Sequence, residues 1–134
     1  MLPDLLLDTH IVVRWLSDSR KLSREQLRVL EAAVRRAEPL AISCMSLLEI
    51  AVLASDNKLR LRGSLAEFFA ALEENPVFTI LPLTYEIASE VSAIGDGLRD
   101  PADRAIVATA RVHKLRLVTS DQRIIASQLV PAIE

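Results

Sequence analysis

The chain has 134 residues, 51% of them hydrophobic and 25% charged, which suits one compact domain with a real core and excludes a disordered tail. Its single cysteine, Cys44, rules out an internal disulfide, and no apolar stretch approaches the ~20 residues of a bilayer-spanning helix. The formal net charge of −2 argues against a uniformly basic surface, so any dealings with an anionic partner must rest on how charge is distributed. The start, Met1-Leu2-Pro3-Asp4-Leu5-Leu6-Leu7-Asp8, lacks the basic and long apolar regions of a signal peptide. The expectation is a soluble, cytoplasmic single domain over 1–134.

Leu5 to Asp8 reads as a short buried strand, and Thr9 to Leu16 as a helix with one apolar face formed by Ile11, Val12, Trp15 and Leu16. Ser23-Arg24-Glu25-Gln26 is a capping box. The helix it opens carries Leu27, Leu30, Val34 and Ala37 at three-to-four spacing, with Pro39 as its stop. Leu40 to Ser43 is a second strand, followed by a helix through Leu47, Leu48, Ile50, Ala51 and Leu53. A second capping box, Ser64-Leu65-Ala66-Glu67, opens a helix ending near Asn75-Pro76. Val77 to Leu81 is a third strand, Thr84 caps a helix running towards Ile94, and Gly95-Asp96-Gly97 is a loop. Asp100-Pro101 starts a helix through Ile106, Val107, Ala110 and Val112, proline being suited to a first turn. Leu115 to Thr119 is a fourth strand and Asp121 to Leu129 a last helix.

Strands alternating with helices imply an α/β fold, a three-layer α/β/α sandwich around a mostly parallel sheet. Ligands of such sheets bind at the carboxyl ends of the strands, where strand order reverses. Asp8 closes the first strand, and Glu49 is placed in the first turn after the second. Asp100 and Asp103 open a later helix, and Asp121 follows the fourth strand. Each acid also has a plain structural explanation: Asp8, Asp100 and Asp121 suit N-caps, and Glu49 could close a capping box on Ser46. Gathered together they need more. Carboxylates ~4 Å apart repel by roughly 4 kcal/mol at an effective dielectric of ~20, so a convergent set requires a cation or bound protons. Oxygen donors without a Cys/His cluster favour Mg²⁺ or Mn²⁺ over zinc.

Four stretches occur in order: Leu6-Leu7-Asp8-Thr9-His10, Ser46-Leu47-Leu48-Glu49-Ile50, Arg99-Asp100-Pro101-Ala102-Asp103-Arg104-Ala105-Ile106-Val107-Ala108-Thr109-Ala110, and Leu117-Val118-Thr119-Ser120-Asp121. Together they resemble the PIN-domain ribonucleases, specifically the VapC-type toxins of bacterial toxin–antitoxin pairs, over essentially the whole chain. The resemblance implies that Asp8, Glu49, Asp103 and Asp121 form an acidic quartet that holds one or two Mg²⁺ or Mn²⁺ ions and cuts RNA. Asp100 stays open between metal ligand and helix cap. The resemblance also implies a homodimer and a small antitoxin that silences the site with a helix and a basic side chain. Two alternatives remain: a fold of this kind without nuclease activity, and a structure-specific DNA nuclease. A phosphorylation-dependent receiver domain is excluded, since Asp8 has no adjacent acid and no lysine follows the last strand.

Substrate contacts must come from beside the acids. Thr9 and Thr119 offer hydroxyls, and Arg104 and Arg99 offer guanidinium groups to a phosphate. Further off, Arg14 and the strip Lys58-Leu59-Arg60-Leu61-Arg62 could follow an RNA backbone or simply be solvated charges. Seven basic residues against three acidic ones between Arg14 and Arg36 mark that segment as locally basic. His10 reads as a core or capping histidine and Trp15 as core.

Overall fold

The computed structural model describes residues 2–134. Five strands, β1 (Leu5–Leu7), β2 (Leu40–Ser43), β3 (Phe78–Leu81), β4 (Arg116–Val118) and β5 (Ala132–Ile133), form one sheet in the order β3-β2-β1-β4-β5. Every pairing is parallel. The helices are α1 (Thr9–Ser17), α2 (Arg24–Arg35), α3 (Cys44–Ser55), α4 (Leu65–Glu74), α5 (Tyr85–Ala93), α6 (Pro101–His113) and α7 (Gln122–Ser127), with a 3₁₀ turn at Ser19–Lys21. Among the described residues no helix is long and apolar enough to cross a membrane.

The alternation of side chains along each strand sorts the core into two layers. Leu5, Leu7, Leu40, Ile42 and Val118 point to one face, where they meet Ile11 and Val12 of α1, Leu30 of α2, and Phe68 and Leu72 of α4. Leu6, Ala41 and Leu117 point to the other, against Ile106, Val107 and Ala110 of α6 and Ile124 of α7. With both faces covered, β1 is apolar throughout, and β2 and β4 are apolar except for Ser43 and Arg116 at their ends. This is the expected three-layer sandwich.

The reversal of strand order fixes where a site can form. From β1 the chain steps outward to β2 and β3, then returns to the opposite side of β1 for β4 and β5. The carboxyl ends of β1 and β4 therefore border the switch point, and the Asp8 amide is tied there to the Val118 carbonyl at 3.0 Å.

Several boundaries move. Pro39 does not end α2: Ala37 adopts φ 55°, and the Glu38 amide bonds back to Ala33 at 2.9 Å, a left-handed stop before the proline is reached. The last helix closes at Ser127 with Gln128 at φ 55°, freeing the chain to run on into β5. That edge strand pairs only two residues, too few to leave a period in the sequence.

Candidate active site

Asp8, Asp100 and Asp121 are all N-caps. The Oδ1 of Asp8 accepts the Thr9 amide at 2.8 Å, and that of Asp100 accepts the Ala102 and Asp103 amides at 2.8 and 3.1 Å. The Oδ1 of Asp121 accepts the Arg123 amide at 2.9 Å. Each cap locks its carboxylate in one orientation, and three helix N-termini add favourable dipoles for negative charge.

Glu49 differs from its expected position. Helix α3 starts directly after β2 at Cys44, with Ser43 as its cap, so Glu49 lies in the second turn and makes no capping box with Ser46. Ser46 is instead fully buried and bonded to the Thr9 hydroxyl at 2.9 Å.

Asp8, Glu49, Asp100, Asp103 and Asp121 line a single cavity of about 220 Å³. Carboxylate oxygens of Glu49, Asp100 and Asp103 all lie within 4.8 Å of one another. Asp100, ambiguous in the sequence, thus both caps α6 and belongs to the tightest cluster. Burial and the charges of Asp100, Asp8, Asp121 and Glu49 push the Asp103 carboxyl up to about 7. Glu49 is also raised, chiefly by burial, against the opposing effect of the Thr9 hydroxyl, with Asp8, Asp100 and Asp121 adding to the rise.

A hard divalent cation fits this donor set. The three clustered side chains are all carboxylates, and a cation would offset the burial and mutual repulsion that raise the Asp103 carboxyl. The nearby imidazole is otherwise engaged: His10 Nε2 accepts the Ser120 amide at 2.9 Å. Its Nδ1 lies 3.6 Å from Asp8 Oδ2, and burial lowers its pKa, so the ring is neutral.

The hydroxyls and arginine expected to touch substrate do other work. Thr119 is fully buried; its Oγ1 donates to Asp8 Oδ2 at 2.7 Å and accepts the Asp121 amide at 3.0 Å, coupling two acids. Thr9 lines the cavity but is itself buried. Arg104 points away, its guanidinium donating to the carbonyls of Gly95, Leu98 and Val91, the last two at 2.7 Å. Arg99 is exposed and does not line the cavity.

Two contributors escaped the sequence reading. Gln26, fully buried, donates to Ser120 Oγ at 2.9 Å and to the Thr119 carbonyl at 3.3 Å, bracing the β4–α7 turn from α2. Its only sequence signal was the third position of a capping box. Arg123, mostly exposed beside Asp121 at 3.7 Å, is the cation lining the cavity.

The sequence model of the PIN domain matches residues 5–127. The chain is a PIN domain. It is 33% identical over 121 residues to Ribonuclease VapC22 of Mycobacterium tuberculosis, covering 90% of this PIN domain and 88% of that protein. The crystal structure of FitAcB from Neisseria gonorrhoeae shares the fold, with a TM-score of 0.71 at 22% identity over 97% of this chain and 96% of that one. A toxin–antitoxin complex from Klebsiella pneumoniae matches at TM-score 0.65 and 24% identity over the same fractions.

Proposed function

We propose that this PIN domain is a divalent-metal-dependent endoribonuclease and the toxin of a toxin–antitoxin pair. One observation carries the reading: five carboxylates from four separate segments line one cavity at the switch point of the sheet, three of them with oxygens within 4.8 Å of one another. The relative named a ribonuclease and the neighbour titled a toxin–antitoxin complex support it. Helix capping accounts for Asp8, Asp100 and Asp121 taken singly, but not for Glu49 and Asp103, which cap no helix and lie in the same cavity.

Asp8, Glu49, Asp100, Asp103 and Asp121 would hold Mg²⁺ or Mn²⁺. When bound, such an ion would supply Lewis acidity for phosphodiester hydrolysis. The chain's own groups set the geometry. Thr119 and the Thr9 amide fix Asp8; Gln26 and His10 hold the turn that presents Asp121. Arg123 at the mouth offers a guanidinium to a phosphate. Hydrolysis of this class leaves a 5′-phosphate and a 3′-hydroxyl.

Two partners belong to the reading. A small antitoxin would seat a basic side chain among the acids. A second copy of the chain would cover the outer face of α3, where Leu48 and Val52, one turn apart, are 57% and 50% exposed. We place the protein in the cytoplasm, where its RNA substrate resides.

The test is cleavage of RNA by the purified protein with Mg²⁺ or Mn²⁺, with EDTA and matched DNA as controls. RNA cleavage should vanish with EDTA. Asp8→Asn, which keeps a capping side chain, should lower it by at least about a hundredfold while leaving the circular dichroism spectrum unchanged. Cleavage that persists in EDTA or in the variant would overturn the proposal, and preference for DNA would redirect it.

A further inference from the structure

A second groove, enclosing about 390 Å³, adjoins the acidic cavity and shares His10, Val13 and Leu59 with it. Its charge is nearly all of one sign. Arg14 comes from α1, Lys21 from the 3₁₀ turn, and Lys58 and Arg60 from the segment after α3. The carboxylate in its lining, Asp18, is taken by Arg20 at 3.0 Å. None of the four lining cations forms an ion pair among the described residues. A line of uncompensated cations beside a pocket of acids is an arrangement that a polyanion would complement.

Resting on the nuclease reading above, we propose that this groove binds the phosphodiester backbone of the RNA strand flanking the bond to be cut, with Arg14, Lys21, Lys58 and Arg60 meeting its phosphates. The strand that brings a phosphate to the acids must continue past the cavity wall, and His10 and Leu59 form the shared rim. The groove positions the strand and does not read bases. Among the described residues no Phe, Tyr or Trp side chain lines it, and Trp15, on α1 beside Arg14, is packed edge-on against Phe78 with ring centroids 5.9 Å apart.

The experiment measures binding of a fluorescein-labelled oligouridylate of about 20 nucleotides by anisotropy, in the Asp8→Asn background to prevent cleavage, over about 50 to 200 mM salt. Lys58→Ala with Arg60→Ala is compared with Arg35→Ala with Arg36→Ala, an equal loss of charge at exposed positions outside the groove. The first pair should weaken binding about tenfold and make the slope of log K against log salt shallower by about 1.4, roughly 0.7 for each lost phosphate contact on a single strand. The second pair should change neither. Equal effects from both pairs, or an unchanged slope in the first, would overturn the proposal. So would intact RNA binding accompanied by loss of binding to a polyglutamate peptide, which would mark the groove as a seat for an acidic protein segment. In chains that retain Asp8, the first pair should raise KM for RNA and spare kcat. Binding reads the groove without cleavage, and cleavage by the unsubstituted chain reads the nuclease proposal, so the two fail separately.

Discussion

Capping and metal binding are compatible roles for one aspartate. In Asp8, Asp100 and Asp121 the Oδ1 serves the helix, which fixes the rotamer of a residue that also lines the cavity. Asp103 and Glu49 have no such duty, and both are raised by burial and neighbouring charge. For Asp103 the folded value of about 7 lies above the ordinary aspartate value of 3.8, so the fold favours its protonated form. Its stabilising contribution is full below about pH 4 and is lost as pH rises through about 7. Metal-free protein should therefore become easier to unfold with urea as pH rises from about 4 to about 7. Asp103→Asn should flatten that stretch, and Mn²⁺ should restore stability at the alkaline end; a profile indifferent to both would refute the assignment. Thr119→Val removes the donor that orients Asp8 with little change in shape. It should reduce metal affinity or cleavage by about 10–100-fold while the protein stays folded, as checked by metal titration.

Elements reveal why part of the site was legible and part was not. Both capping boxes appear as read, with Gln26 bonded to Ser23 and Glu67 to Ser64, because every partner lies within one turn. The box proposed for Ser46 and Glu49 failed because α3 begins without a loop, a consequence of Ser43 ending β2 and capping the helix at once. Arg104 was misread for a similar reason: proximity to Asp103 in sequence says nothing of direction, and its side chain runs back along α6 to the α5–α6 loop. Arg104→Ala should cost about 1–3 kcal/mol in urea unfolding by stripping three carbonyls of their donor. KM for RNA should stay unchanged; a raised KM at unaltered stability would return this arginine to the substrate.

Across the whole molecule, the order β3-β2-β1-β4-β5 is what brings residues 8, 49, 100, 103 and 121 to one edge. Parallel pairing points the carboxyl ends of all strands the same way, so every strand-to-helix turn opens on that side. The same stacking leaves α3 apolar on its outer face, although Ile50 of that helix is fully buried in the core. Leu48→Asp should convert a dimer to a monomer in sedimentation velocity while the circular dichroism spectrum stays that of the folded chain. A monomeric parent chain would remove the basis for that interface.

The alternation of short apolar runs with one-faced helices, together with Pro101, the capping serines and the acids at strand ends, specified the layers and the cavity's chemistry from the sequence alone. These are local signals, set by backbone preference and by periods of two and 3.6 residues. Which oxygens converge, which way Arg104 turns, that Gln26 braces a turn 93 residues away, and that β5 exists at all were decided by the tertiary structure. Such contacts join segments distant in the chain, and their direction depends on strand order and helix start, quantities that no short window of residues contains.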